Sequence, residues 1–286
     1  MKKFKTGIIA AAACLLLAAC SSQSGEVEST AAETGSEEAV VEESTEAAAE
    51  ETEGEPEETT VTLAAAASLE YAFTEQLIPM FEEANPGIMV EGTYDSSGKL
   101  QTQIESGLDA DIFFSAAEKQ MNALNEEGLV LSDSITKLLE NKIVLILPAA
   151  SENEDIKSFE DIVKAEMIAL GDHESVPVGQ YSQESLTSLG LWDEIQDKVS
   201  FGTNVTEVLN WVAESSADCG IVYATDAATT DKVKVVAEAP EGSLAAPVVY
   251  PVARLNDDEA TQKFFDFICS DEAMAVFEEY GFADNR

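Results

Sequence analysis

Five short turns carry small or hydroxyl-bearing residues where an extended run gives way to a helical one. They are centred on Ser68, Ser97, Pro177–Val178, Asn204–Val205 and Tyr223. The start of a helix offers unpaired backbone N–H groups and the positive end of the helix dipole, which together bind anions. Since the chain has a formal net charge of -41, an anion site in it must depend on such local dipoles.

Alternating strands and helices would position these turns. The apolar patterns predict strands near residues 61–66, 88–94, 110–115, 141–147, 167–170, 199–201, 220–223 and 233–236, and helices near 69–83, 97–106, 117–127, 180–189, 205–214, 257–269 and 271–280. This alternation predicts an α/β protein whose mostly parallel sheets carry helices on both faces. Ligands of such sheets gather at the carboxyl ends of strands, where the five turns are expected.

Charge and cysteine usage narrow the class of protein. Beyond residue 60 the chain has 42 acidic and 12 basic residues, which excludes a nucleic-acid binder because phosphate backbones require basic faces.

Cys219 and Cys269 have no metal-binding spacing around them and lie within apolar runs. We expect free buried thiols, with a disulfide between them as the alternative.

The first 20 residues have the pattern of an export signal. Lys2, Lys3 and Lys5 precede an apolar stretch that is too short to span a bilayer. The stretch ends in Leu17–Cys20, which resembles the bacterial lipobox. That resemblance implies that Cys20 becomes the first mature residue and carries a lipid that anchors the protein on the outer side of the cell membrane. The alternative is an ordinary signal peptide.

Residues 21–60 are predicted to form a disordered, extended tether. They contain 14 Glu and no Lys, Arg or Asp. The segment therefore has little apolar surface to bury, and its glutamate charges repel one another. The alternative is a charged tail that binds a basic partner.

A set of short segments beyond residue 60 carries a family resemblance, because the segments follow one another in the same order as in the family. They are Ala65–Leu69, Ser96–Gly98, Gln103–Gly107, Ala110–Ala116, Gly171–Asp172, Val176–Pro177, Leu189–Trp192, Gly220–Tyr223, Thr225–Ala227, Tyr250–Ala253 and Phe277–Phe282. From Val61 onward, the chain resembles the molybdate-binding proteins of bacterial ABC importers.

The resemblance implies a two-lobed fold of the type II periplasmic-binding-protein kind, with the ligand in the cleft between lobes. Lobe one would comprise residues 61–142 and 247–286, and lobe two residues 143–246. It also implies a monomeric, non-enzymatic, extracytoplasmic lipoprotein that captures molybdate, and tungstate with it, without a cofactor. The partners would be a membrane permease and its ATPase.

The resemblance further implies that the oxyanion ligands are Ser68, Ser97, Val178, Val205 and Tyr223. All five offer donors: hydroxyl groups, a phenol or backbone N–H groups. Molybdate, tungstate and sulfate are fully deprotonated near neutral pH and need only donors, whereas phosphate keeps a proton and needs an acceptor. The alternative is that the serines only cap helices and the valines only pack.

Local capping is expected at two of these turns. Ser68 is predicted to cap the helix that follows it. Asn204 is predicted to cap the helix that begins at Val205, with Glu207 completing a capping box.

Two residues depart from the family pattern. Val178 stands where alanine is common, which leaves the backbone N–H available. Asp95 stands where a small neutral residue is usual, so it would either cap the turn or face solvent, or else accept a hydrogen bond from a protonated oxyanion.

Other functions remain alternatives. The chain could bind sulfate or phosphate, or it could be an exported hydrolase that uses Ser68 or Ser175 with His173. It could also be a surface sensor or adhesive module. His173 is expected to be an exposed loop residue, since no nucleophile-elbow motif accompanies it.

Overall fold

The computed structural model describes residues 58–286. The predicted signal, Cys20 and nearly all of the predicted tether lie outside the described residues. The first strand begins at Thr59, two residues earlier than expected, and Thr59 already pairs with Ile88 of the next strand.

Two β-sheets form the framework of the described chain. The strands are β1 Thr59–Ala66, β2 Ile88–Asp95, β3 Ile112–Phe114, β4 Thr136–Asn141, β5 Ile143–Pro148, β6 Ile168–Gly171, β7 Val199–Gly202, β8 Cys219–Tyr223, β9 Val233–Glu238, β10 Val248–Arg254 and β11 Ala283–Asp284. The first sheet has the order β11-β4-β10-β3-β1-β2, and the second has the order β7-β6-β8-β5-β9. Each sheet is the centre of one lobe.

Helices follow most of the strands. They are α1 Glu70–Ala72, α2 Ile78–Ala84, α3 Ser97–Glu105, α4 Glu118–Glu126, α5 Pro177–Ser188, α6 Trp192–Ile195, α7 Val205–Ala213, α8 Ala224–Ala228, α9 Glu259–Ile268 and α10 Asp271–Glu279. Short 3₁₀ turns cover Ala67–Leu69, Ser132–Ser134, Phe159–Lys164 and Gln196–Lys198, and a π-helical segment, Phe73–Leu77, joins α1 to α2. The helix predicted near 69–83 is therefore continuous but changes its winding.

Both sheets mix parallel and antiparallel pairs. The predicted parallel pairing holds for β1 with β2 and β3, and for β6 with β7 and β8. The other pairs, which involve β4, β5, β9, β10 and β11, are antiparallel. The physical reason is that the chain enters β5 and β10 directly from the other sheet, without the crossover helix of a βαβ unit, and each of these strands runs opposite to both of its neighbours.

The strand predicted near 141–147 is two strands in the structure. β4 ends at Asn141 in the first sheet, and β5 begins at Ile143 in the second. A single residue, Lys142, therefore separates the two sheets at this crossing. The prediction covers β5 but only the last residue of β4, because β4 has only two apolar residues, Leu138 and Leu139, and polar residues follow them as far as Lys142.

Apolar side chains fill the space between sheets and helices. In the first lobe, Phe73 packs edge-on against Phe114 and Phe277, with ring centroids 6.1 and 5.7 Å apart. Cys219 and Cys269 have free thiols, as expected, but only Cys219, in β8, is buried, whereas Cys269, directly after α9, is partly exposed. Within residues 58–286, no helix combines the length and apolarity needed to cross a bilayer.

Candidate functional site

A small cavity lies where strand ends of both sheets meet helix starts. It is lined by Ala66, Ala67, Ser68, Asp95, Ser96, Ser97, Ala116, Val176, Pro177, Val178, Val205 and Tyr223. Its empty volume is about 200 Å³, part of which is open to the solvent. A cavity of this size admits a compact ligand with few heavy atoms. All five predicted ligand residues line it.

Ser96 and Ser97 lie directly after β2 of the first sheet, where α3 begins. Ser97 is fully buried as the first residue of α3, and its Oγ accepts the N–H of Ala116 at 2.9 Å. Its hydroxyl hydrogen remains free to donate. The preceding Ser96 is the helix cap, because its Oγ accepts the N–H of Lys99 at 3.4 Å.

Ser68 does not cap its helix, so that prediction is wrong. The 3₁₀ turn begins at Ala67, and the cap position falls on Ala66, which has no side-chain cap. The Ser68 Oγ instead lies 3.0 Å from the phenol oxygen of Tyr250 on β10. Since Tyr250 can donate this hydrogen bond, Ser68 can direct its own hydrogen into the cavity.

Backbone N–H groups come from the second lobe. Val178 follows Pro177 in the first turn of α5, and Val205 begins α7. Both are buried, and the N–H groups in a first turn have no intrahelical acceptor. Because only the backbone is needed here, apolar side chains can occupy both positions.

The α7 start is capped as predicted, but without the capping box. Asn204 Oδ1 accepts the N–H of Glu207 at 2.9 Å. The Glu207 carboxylate accepts the N–H and the hydroxyl of Thr203, at 2.7 and 2.9 Å, instead of the N–H of Asn204. These two bonds hold the chain at Thr203, one residue before the cap residue Asn204, and they leave the Val205 N–H available.

Tyr223 contributes a phenol at the end of β8. Its side chain is 2% exposed, and its hydroxyl has no hydrogen-bond partner among the described residues. Burial raises the pKa of Tyr223 well above its ordinary value, so the phenol remains a neutral donor. A buried, unpaired donor is costly unless a ligand satisfies it.

The cavity wall has one charged residue among its lining residues, and it is an acid. Asp95 Oδ1 accepts the N–H of Ser96 at 2.8 Å, and its Oδ2 is paired with the ammonium group of Lys99. Both carboxylate oxygens therefore already accept donors from the protein. The residues that line the cavity include no Lys, Arg or His.

A hydrogen-bonded chain behind the cavity was not apparent from the sequence. Asn141 donates to the Tyr250 phenol at 3.2 Å and to the Thr225 hydroxyl at 2.9 Å, and Tyr250 contacts Ser68. These groups connect β4 and β10 of the first sheet to α8 of the second lobe. Asp226 is buried nearby, and burial raises its pKa to about 7.

The residues of the alternative hydrolase do not form a triad. The Ser175 hydroxyl donates to Asp172 Oδ2 at 2.8 Å, and no bond joins it to His173 within residues 58–286. The expectation of an exposed His173 is also wrong. Its ring lies 5.3 Å from Trp192 and 5.3 Å from Phe201, because the turn folds it against these aromatic side chains.

No metal cluster competes with the cavity as a ligand site in the part of the chain that the structure describes. Residues 58–286 contain no group of three or more His, Cys, Asp or Glu that could hold a metal ion.

Two sheets linked by crossing strands, with a small polar cavity between the lobes, define the periplasmic-binding-protein fold. The periplasmic molybdate-binding protein of Azotobacter vinelandii has this fold, with a TM-score of 0.66 at 23% identity, over 78% of this chain and 98% of that one. The chain belongs to the family of bacterial extracellular solute-binding proteins, whose sequence profile matches residues 61–283.

Relatives with higher identity confirm the resemblance found in the sequence. The lipoprotein YvgL of Bacillus subtilis, provisionally named as an ABC transporter substrate-binding protein, is 41% identical over 77% of this chain and 85% of its own. The molybdate-binding protein ModA of Haemophilus influenzae is 39% identical over 77% of this chain and 88% of its own. The family is therefore one of transport proteins that bind solutes outside the cytoplasm.

Proposed function

We propose that the protein captures molybdate, and tungstate with it, in the cavity between the lobes and delivers the anion to an ABC importer. The observation that carries this proposal is the donor set: hydroxyl groups, a phenol and helix-start N–H groups surround a small space whose lining residues include no cationic side chain. A dianion without protons fits this arrangement, because every one of its oxygens accepts and every proposed group donates. The names of the relatives supply the choice of molybdate.

Five residues would bind the anion. Ser68 and Ser97 would donate from the first lobe, and Val178, Val205 and Tyr223 would donate from the second. Hydrogen bonds to a charged group contribute about 1.5–3 kcal/mol each, so several together can offset the dehydration of a compact dianion. We propose lobe bounds of 61–142 with 247–286, and of 143–246, which would make the Asn141–Ile143 crossing part of the hinge.

The state of Asp95 argues against a protonated ligand. Hydrogen phosphate would need an acceptor in the wall, and each Asp95 oxygen already accepts one donor, the Ser96 N–H or the Lys99 ammonium group, which weakens it as a further acceptor. Sulfate lacks a proton and fits the same donors, so discrimination against it would depend on size.

Calorimetry of the purified domain against molybdate, tungstate, sulfate and phosphate tests the proposal. We expect saturable heat at one site for molybdate and tungstate, with sulfate weaker and phosphate silent. Heat from phosphate but none from molybdate would refute the assignment and make Asp95 the candidate acceptor again. Hydrolysis of an ester substrate that disappears in His173→Ala would favour the hydrolase instead.

The cellular arrangement belongs to the same proposal. A lipid on Cys20 would anchor the monomeric protein to the outer face of the cell membrane, with residues 21–60 as a tether. The closed, loaded form would dock on a permease that is driven by an ATPase. The protein would carry the anion without a cofactor and without catalysing a reaction. Loss of membrane retention in Cys20→Ala would test the anchor.

A further inference from the structure

One backbone hydrogen bond crosses directly between the lobes beside the cavity. The N–H of Gly98, in the first turn of α3, donates to the carbonyl oxygen of Ser175 at 3.0 Å. Gly98 follows Ser97, which lines the cavity from the first lobe. Ser175 precedes Val176, which lines it from the second lobe. The contact therefore lies at the edge of the proposed anion site.

The approach is too close for any side chain at residue 98. A Cβ placed on Gly98 would lie 2.2 Å from the Ser175 oxygen and 2.9 Å from its carbonyl carbon and Cα. These are backbone atoms, so they cannot rotate away as the end of a flexible side chain would. Hydrogen bonds from Ser175 to Asp172, one from its Oγ at 2.8 Å and one from its N–H at 3.3 Å, also hold the loop.

The conformation of α3 does not itself require glycine at this position. Gly98 is absent from the glycines with positive φ, and glycine is among the least favourable residues in a helix. Alanine would therefore suit the helix better when the lobes are apart. Residue 98 must be glycine only when the Ser175 carbonyl lies against it, as it does in this structure.

We propose that Gly98 is the residue that permits the lobes to close on the anion, and that the Ser175 carbonyl is the surface against which they close. This inference rests on the proposed anion capture. A methyl group at residue 98 would hold the two backbones apart by close to an ångström. Ser97 and Val178 would then not both reach the same anion, although each lobe would fold normally.

A second contact between the lobes differs in kind. The Nε2 of Gln120 donates to the Oε1 of Gln180 at 3.2 Å. Two long side chains make this bond, and they can adjust to small changes in lobe separation. The Gly98–Ser175 contact has no such freedom, so it sets the limit of closure.

The test compares Gly98→Ala with Gly107→Ala, a substitution just beyond the other end of the same helix. Gly107 has a φ of 94° and open space around its Cβ, so alanine there strains the backbone without approaching the other lobe. Molybdate affinity is measured by calorimetry, and the unfolding midpoint of each unliganded protein by thermal denaturation. Small-angle scattering with and without molybdate reports closure.

We expect Gly98→Ala to weaken molybdate binding on the order of tenfold to a hundredfold, as displacements of about 1 Å do in preorganised sites. Its unliganded midpoint should equal or exceed that of the wild type, and molybdate should no longer reduce its radius of gyration. Gly107→Ala should show the opposite pattern, with a lower midpoint and wild-type affinity.

Wild-type affinity in Gly98→Ala, or a lowered midpoint with unchanged closure, would overturn the inference while leaving the proposed function intact. A wild-type protein that binds no molybdate would refute the proposed function, and this inference with it.

Discussion

Replacing Tyr223 by Phe removes one oxygen atom and separates ligand binding from stability. The Tyr223 hydroxyl is buried in the cavity wall and has no partner among residues 58–286. A hydrogen bond to a charged acceptor is worth about 1.5–3 kcal/mol, which converts to a roughly tenfold to 150-fold loss of molybdate affinity. The unliganded protein should keep its free energy of unfolding or gain up to about 1 kcal/mol, because an unsatisfied buried hydroxyl disappears.

Tyr250→Phe is the matched control for this substitution. The two rings are neighbours, with centroids 5.5 Å apart, and both are almost fully buried. The Tyr250 hydroxyl, however, already contacts the Ser68 Oγ at 3.0 Å and the Asn141 Nδ2 at 3.2 Å. Its removal leaves partners unpaired, and we expect the free energy of unfolding to fall by about 1–3 kcal/mol.

Calorimetric titration with molybdate and urea denaturation of the unliganded proteins measure both effects. The reasoning fails if Tyr223→Phe binds molybdate with wild-type affinity. It also fails if Tyr223→Phe destabilises the unliganded protein as much as Tyr250→Phe does, since the phenol would then have a structural partner.

Four further substitutions test the site and its surroundings. Ser97→Ala should weaken molybdate binding at least about tenfold through loss of a donor to a charged ligand, and unchanged affinity in a titration would exclude Ser97 from the site. Lys99→Met should leave the Asp95 carboxylate uncompensated in the wall and weaken binding several-fold, most strongly at low salt, whereas Asp95→Asn in the same chain should restore affinity. Asp226→Asn addresses pH: burial raises the pKa of Asp226 from 3.8 to about 7, so between these values the native state binds more protons than the unfolded state and stability falls as pH rises. Urea midpoints across this window should decline less steeply in the variant than in the wild type, and parallel profiles would contradict the assignment.

Local sequence patterns predicted most elements and the donor character of the site. Helix α3 begins at Ser97 and α4 covers Glu118–Glu126, close to the predicted ranges. The hydroxyl and small residues at strand ends do meet at one cavity. These features depend on short-range periodicity and capping, which a sequence displays directly.

The errors concern interactions between residues far apart in the chain. Ser68 was predicted to cap a helix, but its hydroxyl contacts Tyr250, which lies 182 positions away. Strand β4 has only two apolar residues, and its place in the first sheet depends on pairing with β10 and β11, which lie more than 100 residues further along the chain. Similarly, His173 is packed by Trp192 and Phe201 from separate elements. No local pattern records such partners, because they depend on how the sheets and helices assemble.

A cavity wall without cationic side chains has a consequence for rates. The acidic protein repels an approaching anion, so its association rate constant should be low in dilute buffer and rise as added electrolyte screens the field. Release, in contrast, would depend on breaking hydrogen bonds to the proposed donors that line the cavity. High affinity would then depend on a low dissociation rate constant. Separation of the lobes would be the step that limits release of the anion.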